Sequence, residues 1–99
     1  MEISERAFQK QVVELARATG WLSYHTYDSR RSDAGFPDLV LVRPPRIIFA
    51  ELKSKRGRIK PAQRHWGDQL SSCAAASPST LMYALWRPSD WDSIVDALR

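Results

Sequence analysis

Apolar residues recur at helical spacing near the amino terminus and in short, dense runs through the middle of the chain. At 100° per residue, Phe8, Val12, Leu15 and Ala16 form one stripe, with Val13 at its margin, which predicts an amphipathic helix over residues 5–18. Ser4 suits its N-cap, Glu5 lies where the helix dipole favours an acid, and Gly20 suits the position past its end. Trp21 to Tyr27, aromatic and β-branched, reads as a strand, followed by a polar loop from Asp28 to Gly35. Leu39–Val42 and Ile47–Leu52 are the strands of a hairpin turned by Arg43-Pro44-Pro45-Arg46, because proline cannot donate to a central ladder. Ser54 to Lys60 is a basic stretch expected to be a flexible loop around Gly57, and Pro61 fits the first position of a helix running to about Ala75. Leu81–Trp86 is a short buried strand stopped by Pro88, and Ser89 or Asp90 caps a last helix whose apolar face is Trp91, Ile94, Val95 and Leu98. The predicted order is α-β-β-β-α-β-α. It describes an α/β domain with a small mixed β-sheet flanked by helices in two or three layers.

Three charges interrupt this pattern. Asp38 opens the first run of the hairpin, and Glu51 and Lys53 close the second, where buried residues are expected. Burying two carboxylates and an ammonium is costly unless they pair or hold a metal. With the turn centred between Pro44 and Pro45, facing residues have numbers adding to 89, which sets Asp38 opposite Glu51. Their Cβ atoms would lie roughly 5 Å apart. Glu51 and Lys53 are two apart on one strand and share a face. On the first helix, Glu5 falls within the apolar stripe next to Val12, Gln9 lies at its edge and Glu14 points away. Glu5 therefore either faces the interior or is a dipole-favoured acid at an exposed helix end. The plainer account of the hairpin charges is a turn aspartate and an ordinary Glu-x-Lys pair at a strand end.

The remaining composition narrows the function. The 99 residues suit one domain spanning 1–99. No run approaches the ~20 apolar residues of a membrane span, and Met-Glu-Ile-Ser-Glu-Arg lacks the start of a signal peptide, so a cytoplasmic, intracellular protein is expected. Cys73 has no partner for a disulfide or zinc site and is expected to be a small buried residue, and His25 is expected to be structural. Between Arg30 and Arg64 ten bases stand against three acids, a net +7, while the rest of the chain carries −3. A basic window around carboxylates points to a polyanion, nucleic acid first. Arg30 and Arg31 could grip phosphate.

Two carboxylates across a hairpin make a site for a hard divalent cation, Mg²⁺ or Mn²⁺, with the backbone carbonyl of Leu52 as another oxygen. Such an ion lowers the pKa of a bound water and neutralises charge on a phosphoryl group. Lys53 would position or deprotonate the water or stabilise the pentavalent phosphorus, and nearby bases would hold the backbone. Together these parts describe metal-dependent phosphodiester hydrolysis.

Pro37-Asp38, twelve intervening residues and Glu51-Leu52-Lys53 resemble the signature of the PD-(D/E)xK nuclease superfamily. Ser4-Glu5, Gly20-Trp21, Gly35-Phe36-Pro37-Asp38, Glu51-Leu52-Lys53-Ser54, Pro61-x-Gln63-x-x-Trp66 and Trp86-Arg87-Pro88, in that order, narrow the resemblance to the stand-alone VRR-Nuc domain, the virus-type replication-repair nuclease module. The resemblance implies a restriction-endonuclease-like core and a metal-dependent DNA endonuclease that favours four-way junctions or flaps and acts as a homodimer. It implies Asp38 and Glu51 as metal ligands, Lys53 as the catalytic lysine, Gln63 as an accessory residue, and Glu5 as a further carboxylate that can reach the metal. Lys55, Arg56, Arg58 and Lys60, with Arg30 and Arg31, are the expected DNA contacts.

Two departures stand out. Lys60 occupies the place where a Ser or Thr cap is expected, and Ser71–Ser79 is longer and richer in Ala and Ser than a short glycine turn. The rival readings are a non-cleaving or partner-dependent nucleic-acid-binding module and the cleavage subunit of a larger complex. Intact Asp38, Glu51 and Lys53 argue against a degenerate nuclease. Trp66, Trp86 and Trp91 are candidates for a dimer surface, although each also suits the core.

Overall fold

The structure is a computed structural model that describes residues 2–27 and 33–99. Its elements are α1 (Glu5–Ala18), β1 (Leu22–His25), β2 (Leu39–Arg43), β3 (Arg46–Leu52), α2 (Pro61–Ala76), β4 (Leu81–Trp86) and α3 (Trp91–Leu98), with one 3-10 turn at Pro88–Asp90. The sheet order is β1-β2-β3-β4; the first three strands are antiparallel, and β4 runs parallel to β3 after the α2 crossover. A mixed sheet with α-β-β-β-α-β-α order is the architecture expected.

Pleat alternation gives the sheet its two faces. Leu39, Leu41, Ile48, Ala50, Leu52, Ala84 and Trp86 point to one side and form a core with Phe8, Val12 and Ala16 of α1 and Ile94 and Leu98 of α3. On the opposite face α2 covers β4, where Gly67 has no side chain because the Tyr83 ring occupies that space; a Cβ there would sit 2.7 Å from its hydroxyl. Helices thus flank the sheet in three layers.

Local chemistry explains the boundaries. The Ala7 N–H donates to Ser4 Oγ at 3.1 Å, the N-cap expected. At the other end of α1, Gly20 takes φ +91, and Trp21 N–H and Gly20 N–H close on the carbonyls of Ala16 (2.9 Å) and Arg17 (3.2 Å), a Schellman ending. That role removes Trp21 from β1, which is shorter than the Trp21–Tyr27 strand expected. The alanine-rich stretch continues α2 to Ala76, where the Ser77 N–H bonds the Cys73 and Ala74 carbonyls. Cys73 is exposed there, not buried as expected, because this part of α2 points its Cys73 face to solvent. Asp90 rather than Ser89 precedes α3, and its carboxylate accepts from the Arg87 N–H at 2.8 Å, capping the 3-10 turn and not the helix.

Arg43 and Arg46, counted in the basic window, do not serve a polyanion site. They flank the Pro44-Pro45 turn at the far end of the hairpin from Asp38. Arg43 donates to the carbonyls of Thr19 (2.7 Å), Leu98 (3.3 Å) and Arg99 (2.7 Å), and Arg46 to Ala97 (2.9 Å). Both guanidinium groups lie over the Trp21 ring, whose Nε1 donates to Leu98 at 3.0 Å. Cations and donors at two helix carboxyl ends satisfy orphan carbonyls and complement the dipoles.

Gly35 carries the second positive φ, +90, and a Cβ on it would lie 2.4 Å from the Ala62 carbonyl carbon and oxygen. Its turn is pressed against the first turn of α2 so closely that only glycine fits. Gly35→Ala is expected to cost about 2 kcal/mol or more from left-handed backbone and the clash. In thermal unfolding that loss lowers Tm by about 10 °C for a domain of this size.

Candidate active site

The β2–β3 ladder pairs Leu39 with Ala50, Val40 with Phe49 and so on to Arg43 with Arg46, the register expected from the proline turn. One step further, the same register sets Asp38 against Glu51. Asp38 is fixed by its neighbours: its Oδ2 accepts the Leu52 N–H at 2.8 Å, and its carbonyl accepts the Thr26 N–H at 2.9 Å. The Thr26 hydroxyl donates to the Pro37 carbonyl at 3.1 Å, so β1 holds the Pro-Asp segment from the other side.

Glu51 and Lys53 are buried, with 1% and 7% of their surface exposed. They stand on the sheet face that α2 overlies, and α2 supplies their polar partner. Gln63 donates from Nε2 to Glu51 Oε2 at 3.2 Å, while its Oε1 accepts the Lys60 N–H at 2.9 Å. Gln63 thereby makes the N3 half of a capping box, satisfying the Lys60 N–H, and is held in one orientation by it. Glu5, at the start of α1, completes the group: one carboxylate oxygen each from Glu5, Asp38 and Glu51 lie within 4.8 Å of one another. The stripe position of Glu5 is therefore the inward one, although the residue as a whole is exposed.

These acids repel each other's charge. The Glu51 carboxyl is pushed up to about 9, first by burial, then by its hydrogen bond to Asp38 and the Asp38 charge; Lys53 opposes the rise and Glu5 adds to it. Glu5 is also raised, by partial burial and then by Asp38. Tyr83 is raised by burial and by the Glu51 and Asp38 charges. Three crowded carboxyls, two of them pushed towards the neutral form by burial and by neighbouring negative charge, fit a divalent cation, whose oxygen ligands they could be.

Two clefts open on either side of Asp38. One, of about 360 Å³, is lined by Gly35, Phe36, Lys60, Ala62 and Gln63; the other, of about 540 Å³, by Glu5, Arg6, Gln9 and His25; Thr26, Tyr27 and Asp38 border both. Lys55, Arg56, Arg58 and Lys60 are exposed on the segment that follows Lys53, with Arg56 paired to Glu2 at 3.5 Å. That segment is held, not loose: Arg87 donates to the carbonyls of Ser54 (2.7 Å) and Gly57 (2.8 Å). Arg30 and Arg31 lie outside the described residues. Of the tryptophans, Trp86 is in the core and Trp91 packs against it, while Trp66 meets Phe36 edge to face at 5.1 Å. Trp86 therefore cannot serve a dimer surface. Thr26, Arg6 and Arg87 are additions; Arg87 stood in the Trp86-Arg87-Pro88 motif, but its targets belong to a loop that shows no pattern in sequence.

A strand-end aspartate facing Glu-x-Lys across a hairpin, with an acid from the first helix, is the arrangement of PD-(D/E)xK nucleases. The chain belongs to the VRR-NUC domain family, whose model matches residues 2–84. The fold is that of a solved VRR_NUC domain, with a TM-score of 0.70 at 22% identity, over 93% of this chain and 94% of that one. No curated protein matches the sequence.

The sign of the Glu51 shift gives a prediction. A folded-state pKa of about 9 against an ordinary unfolded value of about 4.3 means that the folded state holds the proton more tightly. This stabilisation is complete below the unfolded value and lost as pH rises through the folded one. Metal-free Glu51→Gln is expected to gain Tm over wild type from pH 5 upward, with the gap widening towards pH 9. Millimolar Mg²⁺ or Mn²⁺ should raise the wild-type Tm and leave the variant nearly unmoved. Scanning calorimetry in chelator and then in metal, at stepped pH, checks both.

Proposed function

We propose that the chain, acting over residues 1–99 as one domain, is a metal-dependent DNA endonuclease selective for branched DNA such as flaps or four-way junctions. The observation that carries this reading is the convergence of the Glu5, Asp38 and Glu51 carboxylates within 4.8 Å, beside a Lys53 that is 7% exposed. Asp38 and Glu51 are the metal ligands, with the Leu52 carbonyl and Glu5 as further oxygen donors. A Mg²⁺ or Mn²⁺ ion bound there supplies a Lewis acid that activates water and offsets phosphoryl charge.

The chain's own groups do the rest. Lys53 orients the attacking water and stabilises negative charge on the phosphoryl oxygens as the bond to the leaving sugar oxygen breaks. Gln63 keeps the Glu51 carboxylate turned towards Asp38 and Glu5. Lys55, Arg56, Arg58 and Lys60 lie along the DNA backbone, joined by Arg30 and Arg31 from the stretch of sequence before Asp38. A homodimer places two such sites on one branched substrate, and Leu22 and Tyr24, exposed together on one face of edge strand β1, offer it an apolar surface.

The decisive comparison is wild type against Lys53→Ala on labelled linear, flap and four-way-junction DNA with Mg²⁺ or Mn²⁺. Wild type is expected to cut a branched substrate, and the variant to be slower by roughly 10²-fold or more, the scale for losing one group that stabilises developing charge. Equal cutting by both would sink the mechanism, and no cutting by either would favour a binding or partner-dependent role. Lys55→Ala should weaken DNA binding and reduce the slope of log affinity against log salt by roughly 0.9, the effect of one lost phosphate contact. An unchanged slope would remove Lys55 from the interface.

A further inference from the structure

We propose that Tyr27 is a stacking platform for an unpaired nucleobase beside the cut phosphodiester, an inference that rests on the nuclease reading above. Tyr27 follows β1 by two residues and is 86% exposed. Single exposed aromatic residues are ordinary on protein surfaces, so the case lies in its position. It borders both clefts that flank Asp38, whereas Leu22 and Tyr24, the strongly exposed apolar residues of β1, border neither. Its ring meets that of His25 with centroids 4.0 Å apart and a tilt of 46°, and most of its surface stays open to solvent.

Charge frames the same place. Lys60 lines one cleft and Arg6 the other, and Asp38 and Tyr27 border both. A nucleic-acid strand crossing the carboxylates meets a cation for its phosphates on each side and an aromatic ring at the crossing. Bases in an intact duplex have both faces covered by their neighbours, so an open tyrosine ring can take only a base already out of the stack. Such stacking tolerates any base, because every base offers a π-face. Displaced bases occur at flaps, bulges and opened branch points and not within a fully paired duplex, so Tyr27 supplies a physical basis for choosing DNA by shape without reading its sequence.

The test measures binding apart from cutting. Proteins carrying Lys53→Ala, with Tyr27 intact, Tyr27→Ala or Tyr27→Phe, are titrated in Mg²⁺ by fluorescence anisotropy against a duplex with one unpaired nucleotide and against its fully paired counterpart. Tyr27→Ala is expected to weaken binding to the unpaired-base duplex by about tenfold, within the range for one stacked base, and to change paired binding by less than about twofold. Tyr27→Phe keeps the ring and should match the parent, which separates stacking from a role of the hydroxyl. Equal losses on both duplexes, or no loss on either, would overturn the proposal. Flap cutting by protein with Lys53 intact separates this failure from that of the enzyme: if Tyr27→Ala cuts flap over linear DNA with undiminished preference, stacking fails and the nuclease stands. Parent protein that binds neither duplex overturns both readings.

Discussion

Everything at the candidate site depends on the register of one hairpin. The side-chain period of a strand is two, so a slip of one residue between β2 and β3 would turn Glu51 and Lys53 into the α1 core and bring Ala50 and Leu52 beneath α2. The two-residue turn at Pro44-Pro45 and the pairing of Arg43 with Arg46 exclude that slip from one end. The Asp38 carboxylate on the Leu52 N–H excludes it from the other. Asp38 thus has a structural bond through one oxygen while its carboxylate also takes part in the acidic group. Loss of its side chain would disturb register and chemistry together.

The two ends of the hairpin divide the labour. At the turn end, Arg43 and Arg46 tie the carboxyl ends of α1 and α3 to the Trp21 ring, so positive charge there closes the fold. At the open end, Gly35 lets the Pro-Asp segment approach the first turn of α2, which brings Gln63 over Glu51. Four segments distant in sequence then meet: the start of α1, the segment before β2, the end of β3 and the start of α2. Each contributes a side chain placed by backbone bonds within or between these elements, which is the preorganisation a reacting centre needs.

The parts legible in the sequence were those governed by a single local rule. The hairpin register followed from a symmetric proline turn, the α1 boundaries from Ser4 and Gly20, and the inward side of Glu5 from a helical wheel. What escaped depended on contacts between segments. Arg43 and Arg46 look like any other bases in a charged window until α3 is seen to end beside them. Thr26 reads as one more β-branched strand residue, and only the β1–β2 pairing gives it the Pro37 and Asp38 carbonyls. Cys73 was expected inside on residue type alone, but the end of α2 extends beyond what it packs against, and alanine-rich helix there needs little burial.

The raised Glu51 carboxyl shows what this arrangement costs. A domain of this size has only about 5–15 kcal/mol of net stability, and an acid at 1% exposure beside two others draws on that margin. A leucine in its place would suit the sheet better, as Phe49 does two residues earlier on the same face. The fold retains the acid because its neighbours share the burden: Lys53 offsets its charge, the Gln63 amide and the Asp38 carboxyl hydrogen-bond it, and α2 shields it. None of those partners neutralises three carboxylates. The deficit is one that a small, hard cation meets with charge and oxygen preference together, so the group most unfavourable to the fold by itself is the one whose chemistry best suits a metal.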